Sequence, residues 1–435
     1  MKSLDRIPTS KIARAGQLVK TGFKVGGNYA AYYGEKVINP SLTKEKLHQE
    51  NAGDIYEGLQ QLKGSALKVA QMLSMDKNIM PQAYVEQFSL SQFSVPPLSG
   101  PLARKTFKNH LGIYPEQLFE TFSAEAVQAA SIGQVHLAEK DGKKIAVKIQ
   151  YPGVADSIKS DLAMVKPFAT RMFNLKGKDS EKYFIEVENK LLEETDYTLE
   201  LKQSIEHTEA CKKLTNIRFP EYYPEWSSPK ILTMEWIDGV HLSEFCKANT
   251  NQDQANQLGQ ALWDFYLFQI HHLKAVHADP HPGNFLVDTA GKLVAIDFGC
   301  IKRIPDDFYI PYFELAKPEV LADVEAMMKP LIALEIVRPD DTPDEINYYR
   351  SIFQELLMLF SKPLQSETFD FSDDQFFSRM AALGERLAKD SKLRKMNGNR
   401  GSAHFLYINR TFFGLYQLLH DLKANIDTQQ YLQLI

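Results

Sequence analysis

Apolar and polar positions change their period along this chain, and each change marks a new element. Between residues 43 and 92, Leu59, Leu62, Leu67, Met72 and Leu73 recur at roughly helical spacing, which predicts helix. A proline- and glycine-rich break at 94–101 ends that region, and 102–118 reads as another helix. From Phe122 the period shifts toward strands. Residues 131–138 alternate, Asp141-Gly142 supplies a hairpin turn, and 144–149 is the returning strand. Residues 183–203 predict a charged amphipathic helix, and 230–237 a strand closed by Asp238-Gly239. Residues 256–273 predict a long apolar helix at the core of a second lobe, and 285–287 and 293–296 two short strands. Residues 305–435 read as helical throughout, with no internal repeat and no low-complexity tract.

At 435 residues the chain can hold one large two-lobed domain with extensions. A hydrophobic share of 44% and a charged share of 24% are those of a globular protein. The net charge of −5 argues against a general nucleic-acid binder. Cys211, Cys246 and Cys300 are few, odd in number and far apart, so neither a disulfide framework nor a cysteine metal site is expected, and the composition suits a reduced, cytosolic setting. No charge-free run of 18 or more apolar residues predicts a spanning helix; the nearest stretch, 405–420, is interrupted by Asn409 and Arg410. The N-terminal arm differs. From Arg6 to Gly34 it carries Arg6, Lys11, Arg14, Lys20 and Lys24 and no acid. That pattern suits a basic amphipathic helix on an anionic membrane surface, or equally a solvated surface helix.

The chemistry sits in two stretches. Residues 277–284 have the form H-x-D-x-x-x-x-N, and Asp297-Phe298-Gly299 begins thirteen residues after Asn284. In kinases the loop Asp orients the attacking hydroxyl, the Asn holds magnesium, and the second Asp holds magnesium against the ATP phosphates. Lys148, a lone lysine in an apolar strand, matches the residue that touches the α/β-phosphates and pairs with a helix Glu. Where a protein kinase shows G-x-G-x-x-G, this chain has Ala129-Ala130-Ser131-Ile132-Gly133, a stiffer loop that places Ser131 near the phosphates. His277 reads as structural, and zinc binding by His277 or His281 is not expected because neither has a partner at metal-ligand spacing. No A-P-E triplet or Ser/Thr-rich activation segment follows Asp297, so a protein substrate has no obvious platform.

These residues resemble the UbiB-type atypical kinases, and within them the branch tied to coenzyme Q biosynthesis. The resemblance rests on residues 6–11 of the arm, on the alanine-rich loop 129–136, and on 277–284. It implies an α+β, bilobal, protein-kinase-like fold with an N-terminal helical extension covering the active site and a helical C-terminal lobe. The implied divisions are a basic arm at 1–40, the extension at 41–121, a small lobe at 122–240 and a large lobe at 241–435. The family's K-x-G-Q motif is matched by Lys68-Val69-Ala70-Gln71, with alanine in place of glycine, and its E-x-D partner by Glu194-Thr195-Asp196. Lys68, Gln71, Glu194 and Asp196 would then form a regulatory cover, and Glu200 is the best match for the partner of Lys148. From the residues alone, Glu193, Glu194, Asp196 and Glu200 also fit a solvated helix face.

The resemblance implies Mg-ATP as the ligand. Ala129, Ala130, Ser131, Lys148, Glu235 and Trp236 would line the nucleotide, Asn284 and Asp297 would hold Mg2+, and Asp279, Lys148 and Glu200 would form the catalytic set. The implied function is an ATP-dependent atypical kinase or ATPase supporting ubiquinone biosynthesis at a membrane. Its expected partners are a lipid or quinone-precursor ligand, ubiquinone-biosynthesis proteins, an anionic membrane surface and a second copy of the chain, with no nucleic acid. The expected location is peripheral to the bacterial inner membrane, or mitochondrial in a eukaryote. Two alternatives stay open: a small-molecule or lipid phosphotransferase of the aminoglycoside or choline kinase type, and a nucleotide-sensing scaffold. Phosphorylation of proteins in trans is the least supported reading.

Overall fold

A computed structural model describes residues 11–39, 45–62, 97–129, 132–172, 178–248, 251–390, 392 and 400–434. The chain forms two units, one of Met1–Lys202 with Glu221–Trp236 and the other of Gln203–Pro220 with Ile237–Ile435.

The first unit begins with α1 (Lys11–Ile38) and α2 (Glu45–Leu62), which pack antiparallel. Val25 and Tyr32 of α1 and Ile55 and Leu59 of α2 are buried. Gly58 permits the close approach, since a Cβ there would lie 2.0 Å from Thr21 Oγ1. Lys24, one of the arm's cations, donates to Glu57 at 2.8 Å and lies 3.4 Å from Asp54. The positive charge expected of the arm is therefore partly answered by α2.

An antiparallel five-stranded sheet follows: β1 (Thr121–Phe122), β2 (Gln128–Ala129), β3 (Gly133–Lys140), β4 (Lys143–Gln150) and β6 (Ile231–Glu235). Its path is β1-β3-β4-β6, with β2 also on β3. Lys140 pairs with Lys143, so Asp141 and Gly142 alone make the turn. Their φ values of 50° and 70° are those of a two-residue hairpin whose twist matches the strands. In β4 the two-residue period puts Ile145, Val147 and Ile149 on one face, all fully buried with Phe107, Phe119 and Ile231. Each such side chain contributes about 1.5–3 kcal/mol by leaving water. The same period turns Lys148 to the opposite face.

Helices surround this sheet. The span 102–118 was expected as one helix, but it is split into α3 (Gly100–Leu111) and α4 (Pro115–Leu118) by Gly112, whose φ of 80° ends α3 in a left-handed cap. After α5 (Val154–Met172), the single helix expected at 183–203 is likewise two: α6 (Lys178–Glu194) and α7 (Tyr197–Cys211). Asp196 makes the break, because its Oδ1 accepts from the N–H groups of Thr198 and Leu199 and starts α7 afresh.

In the second unit α8 (Leu242–Ala248) precedes α9 (Gln252–Phe268), the apolar helix expected near 256–273. Leu262, Trp263, Phe265, Tyr266 and Leu267 of α9 are fully buried. A four-stranded sheet in the order β5 (Ile217–Arg218), β10 (Leu293–Ala295), β9 (Phe285–Asp288), β7 (Gly239–His241) contains both short strands read from the sequence. A separate ladder pairs β8 (Ala275–His277) with β11 (Ile301–Arg303). Then come α10 (Asp306–Glu314), α11 (Pro318–Ala322), α12 (Val324–Ala333), α13 (Pro343–Phe360), α14 (Asp374–Lys389) and α15 (Ala403–Asp421). The region 305–435 is not helical throughout: β12 (Thr368–Asp370) pairs with β13 (Asn425–Asp427). Strands of three residues are too short for a two-residue period to register in sequence.

Buried histidines give the fold an acid sensitivity. His271 bonds Tyr309 Oη at 2.7 Å, and burial, aided by Lys274 and His272, pushes its pKa from 6.5 down to about 3. Burial also lowers His136 and His207. The unfolded chain protonates these rings below 6.5 while the native chain resists, so stability is full above that pH and falls as pH drops toward 3. Urea midpoints measured from neutral to acid pH should decline over this window, and His271→Phe should flatten the decline. An unchanged slope in that variant would refute the assignment.

Candidate active site

The alternation that buries Ile145, Val147 and Ile149 presents Lys148 to Glu200 in the first turn of α7. Lys148 Nζ donates to Glu200 Oε1 at 2.6 Å, and the side chains are 16% and 4% exposed. The ammonium also lies 5.1 Å from the Tyr197 ring centroid. Removing one partner of such a pair leaves the other charge buried, at a cost on the order of 3–5 kcal/mol. Tyr197 in turn limits the strand beside it. A Cβ on Gly133 would lie 2.7 Å from Tyr197 Oη and 2.9 Å from the Ile149 carbonyl, so only glycine fits there.

Other candidate residues of the first unit have distinct places. Ala129 ends β2, paired with Gln134. Glu235 ends β6; its N–H donates to the Glu221 carbonyl, and that of Trp236 donates to the Lys144 carbonyl. Glu194 is the last residue of α6, and Asp196 caps α7. Ala130, Ser131, Lys68 and Gln71 lie outside the described residues.

In the second unit, the loop between β8 and β9 is held largely by its own hydrogen bonds. His281 N–H donates to the Asp279 carbonyl, Asn284 N–H to the His281 carbonyl, and Gly283 N–H to His281 Nδ1. Pro282–Asn284 forms a 3₁₀ turn. Asn284 Nδ2 donates to the Asp279 carbonyl at 2.9 Å and to Asp279 Oδ2 at 3.3 Å. Asp279 Oδ1 accepts from Arg410 Nη2 at 2.6 Å. Behind the loop, His277 is buried, with Tyr266 Oη 3.2 Å from its Nδ1. Burial first, then the charge of Asp279, raises the Tyr266 hydroxyl well above its usual range, so Tyr266 stays protonated. The loop is tied to the segment between β10 and β11 by Ile296 N–H to the Asn284 carbonyl and by Ala278 N–H to the Cys300 carbonyl. Asp297 Oδ1 accepts from Gly299 N–H at 2.9 Å, which fixes the turn that carries it.

The oxygens suit magnesium. Asn284 has committed its amide nitrogen to Asp279, which leaves Oδ1 as the atom it can offer a cation. Asp297 adds a carboxylate. Among the described residues no group of three or more His, Cys, Asp or Glu is placed to hold a metal. A one-carboxylate, one-amide donor set fits magnesium that arrives with phosphates rather than a metal in an all-protein cage.

Sequence reading missed how α15 meets the loop. Arg410 and Gly414, one turn apart, share the face that touches it. In the sequence Arg410 interrupts an apolar run, and a lone cation in such a run is the available signal. Gly414 gave none. A Cβ there would lie 2.1 Å from Pro280 Cγ and 3.1 Å from the Pro280 carbonyl oxygen. Gly414→Ala should therefore push α15 from the loop and cost about 1–3 kcal/mol. Gly384→Ala, at an exposed α14 site with nothing within 4 Å, should instead stabilise by about 0.5–1 kcal/mol. Denaturant midpoints of the two variants should move in opposite directions.

With this geometry in place, comparisons with known proteins point one way. The family model described as the ABC1 atypical kinase-like domain matches residues 90–331. The chain is 26% identical to "Probable serine/threonine-protein kinase abkA" of Dictyostelium discoideum, over 97% of this chain and 78% of that one. It is 28% identical to "Atypical kinase COQ8, mitochondrial" of Saccharomyces cerevisiae, over 88% of this chain and 78% of that one. Two chloroplastic relatives from Arabidopsis thaliana are longer, and the chain spans 47% and 45% of their lengths. In structure it is similar to Rv3197 of Mycobacterium tuberculosis, solved as a complex with erythromycin, with a TM-score of 0.61, 24% identity, and coverage of 89% of this chain and 95% of that one. That likeness supports the kinase-like α+β fold. The chain belongs to the ABC1 atypical kinase family, which includes the UbiB-type kinases that its motifs resemble.

Proposed function

We propose that this chain binds Mg-ATP and hydrolyses it, or transfers its γ-phosphoryl group to a small lipid-like acceptor, in support of ubiquinone biosynthesis at a membrane surface. The observation that carries the reading is the Lys148–Glu200 ion pair, buried on the face of β4 opposite the core. An ammonium fixed in this way is set to position phosphates. Asn284 and Asp297 would hold the magnesium, which neutralises charge on the phosphates. Asp279, held from two sides by Arg410 and Asn284, would orient the attacking oxygen. In hydrolysis that oxygen is water's, and the products are ADP and phosphate.

The membrane part of the reading rests on α1. Val19, Phe23 and Tyr33 are 58%, 78% and 55% exposed, while Thr21, Val25 and Tyr32 are buried. Lys20 is exposed beside that apolar face. No described helix is long and apolar enough to cross a membrane, so the contact would be peripheral. The ubiquinone assignment rests on the motifs of the coenzyme Q branch and on the match to a relative named COQ8.

The test is ADP release by the purified chain with Mg-ATP, with and without anionic liposomes, using Asp297→Asn as the blank. Slow release that exceeds the blank, stops with EDTA and rises on liposomes is expected. Parent and Asp297→Asn rates that coincide under both conditions would remove the nucleotide assignment. Release that appears only when a lipophilic alcohol is added would shift the reading to phosphotransfer.

A further inference from the structure

Gln269 opens a five-residue π-helical turn (Gln269–Leu273) that follows α9. Such wide turns are uncommon and concentrate at functional sites. The side chain is fully buried, and the described bonds use both ends of its amide. Oε1 accepts from the His277 backbone N–H at 2.8 Å and from His207 Nε2 at 2.7 Å. Nε2 donates to the Phe265 carbonyl at 2.9 Å. The orientation follows from chemistry, because a backbone N–H can only donate and so must face the amide oxygen. With that oxygen fixed, His207 must carry a proton on Nε2.

This amide joins two elements that differ in kind. His207 lies on α7, the helix whose first turn carries Glu200. His277 ends β8 and begins the loop of Asp279. Both rings pack on Phe298, at 5.7 Å and 5.8 Å between centroids, and Phe298 directly follows Asp297. Phe219 and Phe265 close the same cage, at 6.0 Å and 6.4 Å. The rings supply packing without direction. The two hydrogen bonds to Gln269 Oε1 are directional, and they fix the distance between α7 and β8.

We propose that Gln269 is a positioning residue: by bridging His207 to the His277 backbone it holds the 203–211 part of α7, the Asp279 loop and the Phe298 turn in one working register. The inference rests on the Mg-ATP reading above. A group that merely satisfied a buried donor would affect stability. A group that sets register affects turnover beyond any change in folding or in nucleotide affinity.

The experiment uses the full chain with Mg-ATP. Gln269→Met keeps length and volume and removes the one acceptor oxygen that takes both bonds, together with the amide donor to the Phe265 carbonyl. It should fold, lower Asp297-dependent ADP release about tenfold, and leave KM for Mg-ATP within about twofold. ¹⁵N imidazole spectra should show the Nε2–H tautomer of His207 in the parent and lose that bias in the variant. His207→Phe, which keeps the contact with Phe298, should lower release similarly, and combining it with Gln269→Met should add little, since both break one bridge. Gln269→Glu, kept protonated by burial, retains the acceptor oxygen and offers its O–H to the Phe265 carbonyl, and should recover most of the release. If Gln269→Met does not fold, His207→Phe and Gln269→Glu decide alone. Parental release in a folded Gln269→Met or His207→Phe, or strictly additive losses, would overturn the proposal. The tautomer spectrum needs no nucleotide, so a parent without Asp297-dependent release would fail the Mg-ATP reading while the bridge itself is judged separately.

Discussion

A charged lysine in the middle of β4 shares its strand with some of the driest residues of the first unit. Ile145, Val147 and Ile149 are each fully buried, and a slip of one residue would put Lys148 among them and those side chains outside. The cost of burying an unpaired ammonium in that core makes the register all but compulsory. Once the register is set, the opposite face must answer the lysine, and Glu200 does so at 2.6 Å. Several nearby features then follow. Asp196 must begin α7 where Glu200 can reach, Tyr197 must lie under the ammonium, and Gly133 must lack a side chain where Tyr197 Oη approaches.

The second unit answers a different problem. Its loop at 277–284 is irregular backbone against a buried wall, so its N–H and C=O groups need partners other than a ladder. They find them within the loop, in the segment between β10 and β11 and in Gln269. The carboxylate of Asp279 is too polar to leave beside apolar α15 without an answer, and Arg410 supplies it. Close contact between helix and loop requires Gly414 one turn further on. The arrangement resembles that of the first unit: a charge is held by a partner from another element, and a glycine nearby lets the backbones approach.

The arm illustrates how far net charge can mislead. Read as sequence, residues 6–34 are a row of cations without acids. Folded, Lys24 meets Glu57 and Asp54 of α2, and Lys36 donates to Tyr32 Oη. What the hairpin leaves outside is apolar surface at Val19, Phe23 and Tyr33 with Lys20 beside it. That remainder, rather than the count of lysines, bears on what α1 can touch.

Local chemistry is where the sequence was sufficient. The hairpin at Asp141-Gly142 was legible because two residues at positive φ need that dipeptide type, and the long buried helix α9 because its apolar run exceeds any strand. Residues 277–284 and 297–299 were legible because their acceptors are spaced along one short stretch. The strand β12–β13 pairing, the breaks at Gly112 and Asp196 and the ladder of β8 with β11 were not. They depend on short segments, or on one residue's φ or side-chain bond, too brief to leave a period. Lys148 could be singled out from its pattern, but its partner Glu200 only through the family resemblance, because from the pattern alone Glu193, Glu194, Asp196 and Glu200 suit the same exposed helix. Only the end of α6 and the restart of α7 turn Glu200 inward. Arg410, Gly414 and Gln269 reach the loop at 277–284 from residues distant in sequence or from inside an apolar stretch. Sequence determined which groups were available for the chemistry, and tertiary structure decided which of them meet, because pairing across a fold is fixed by packing rather than by spacing.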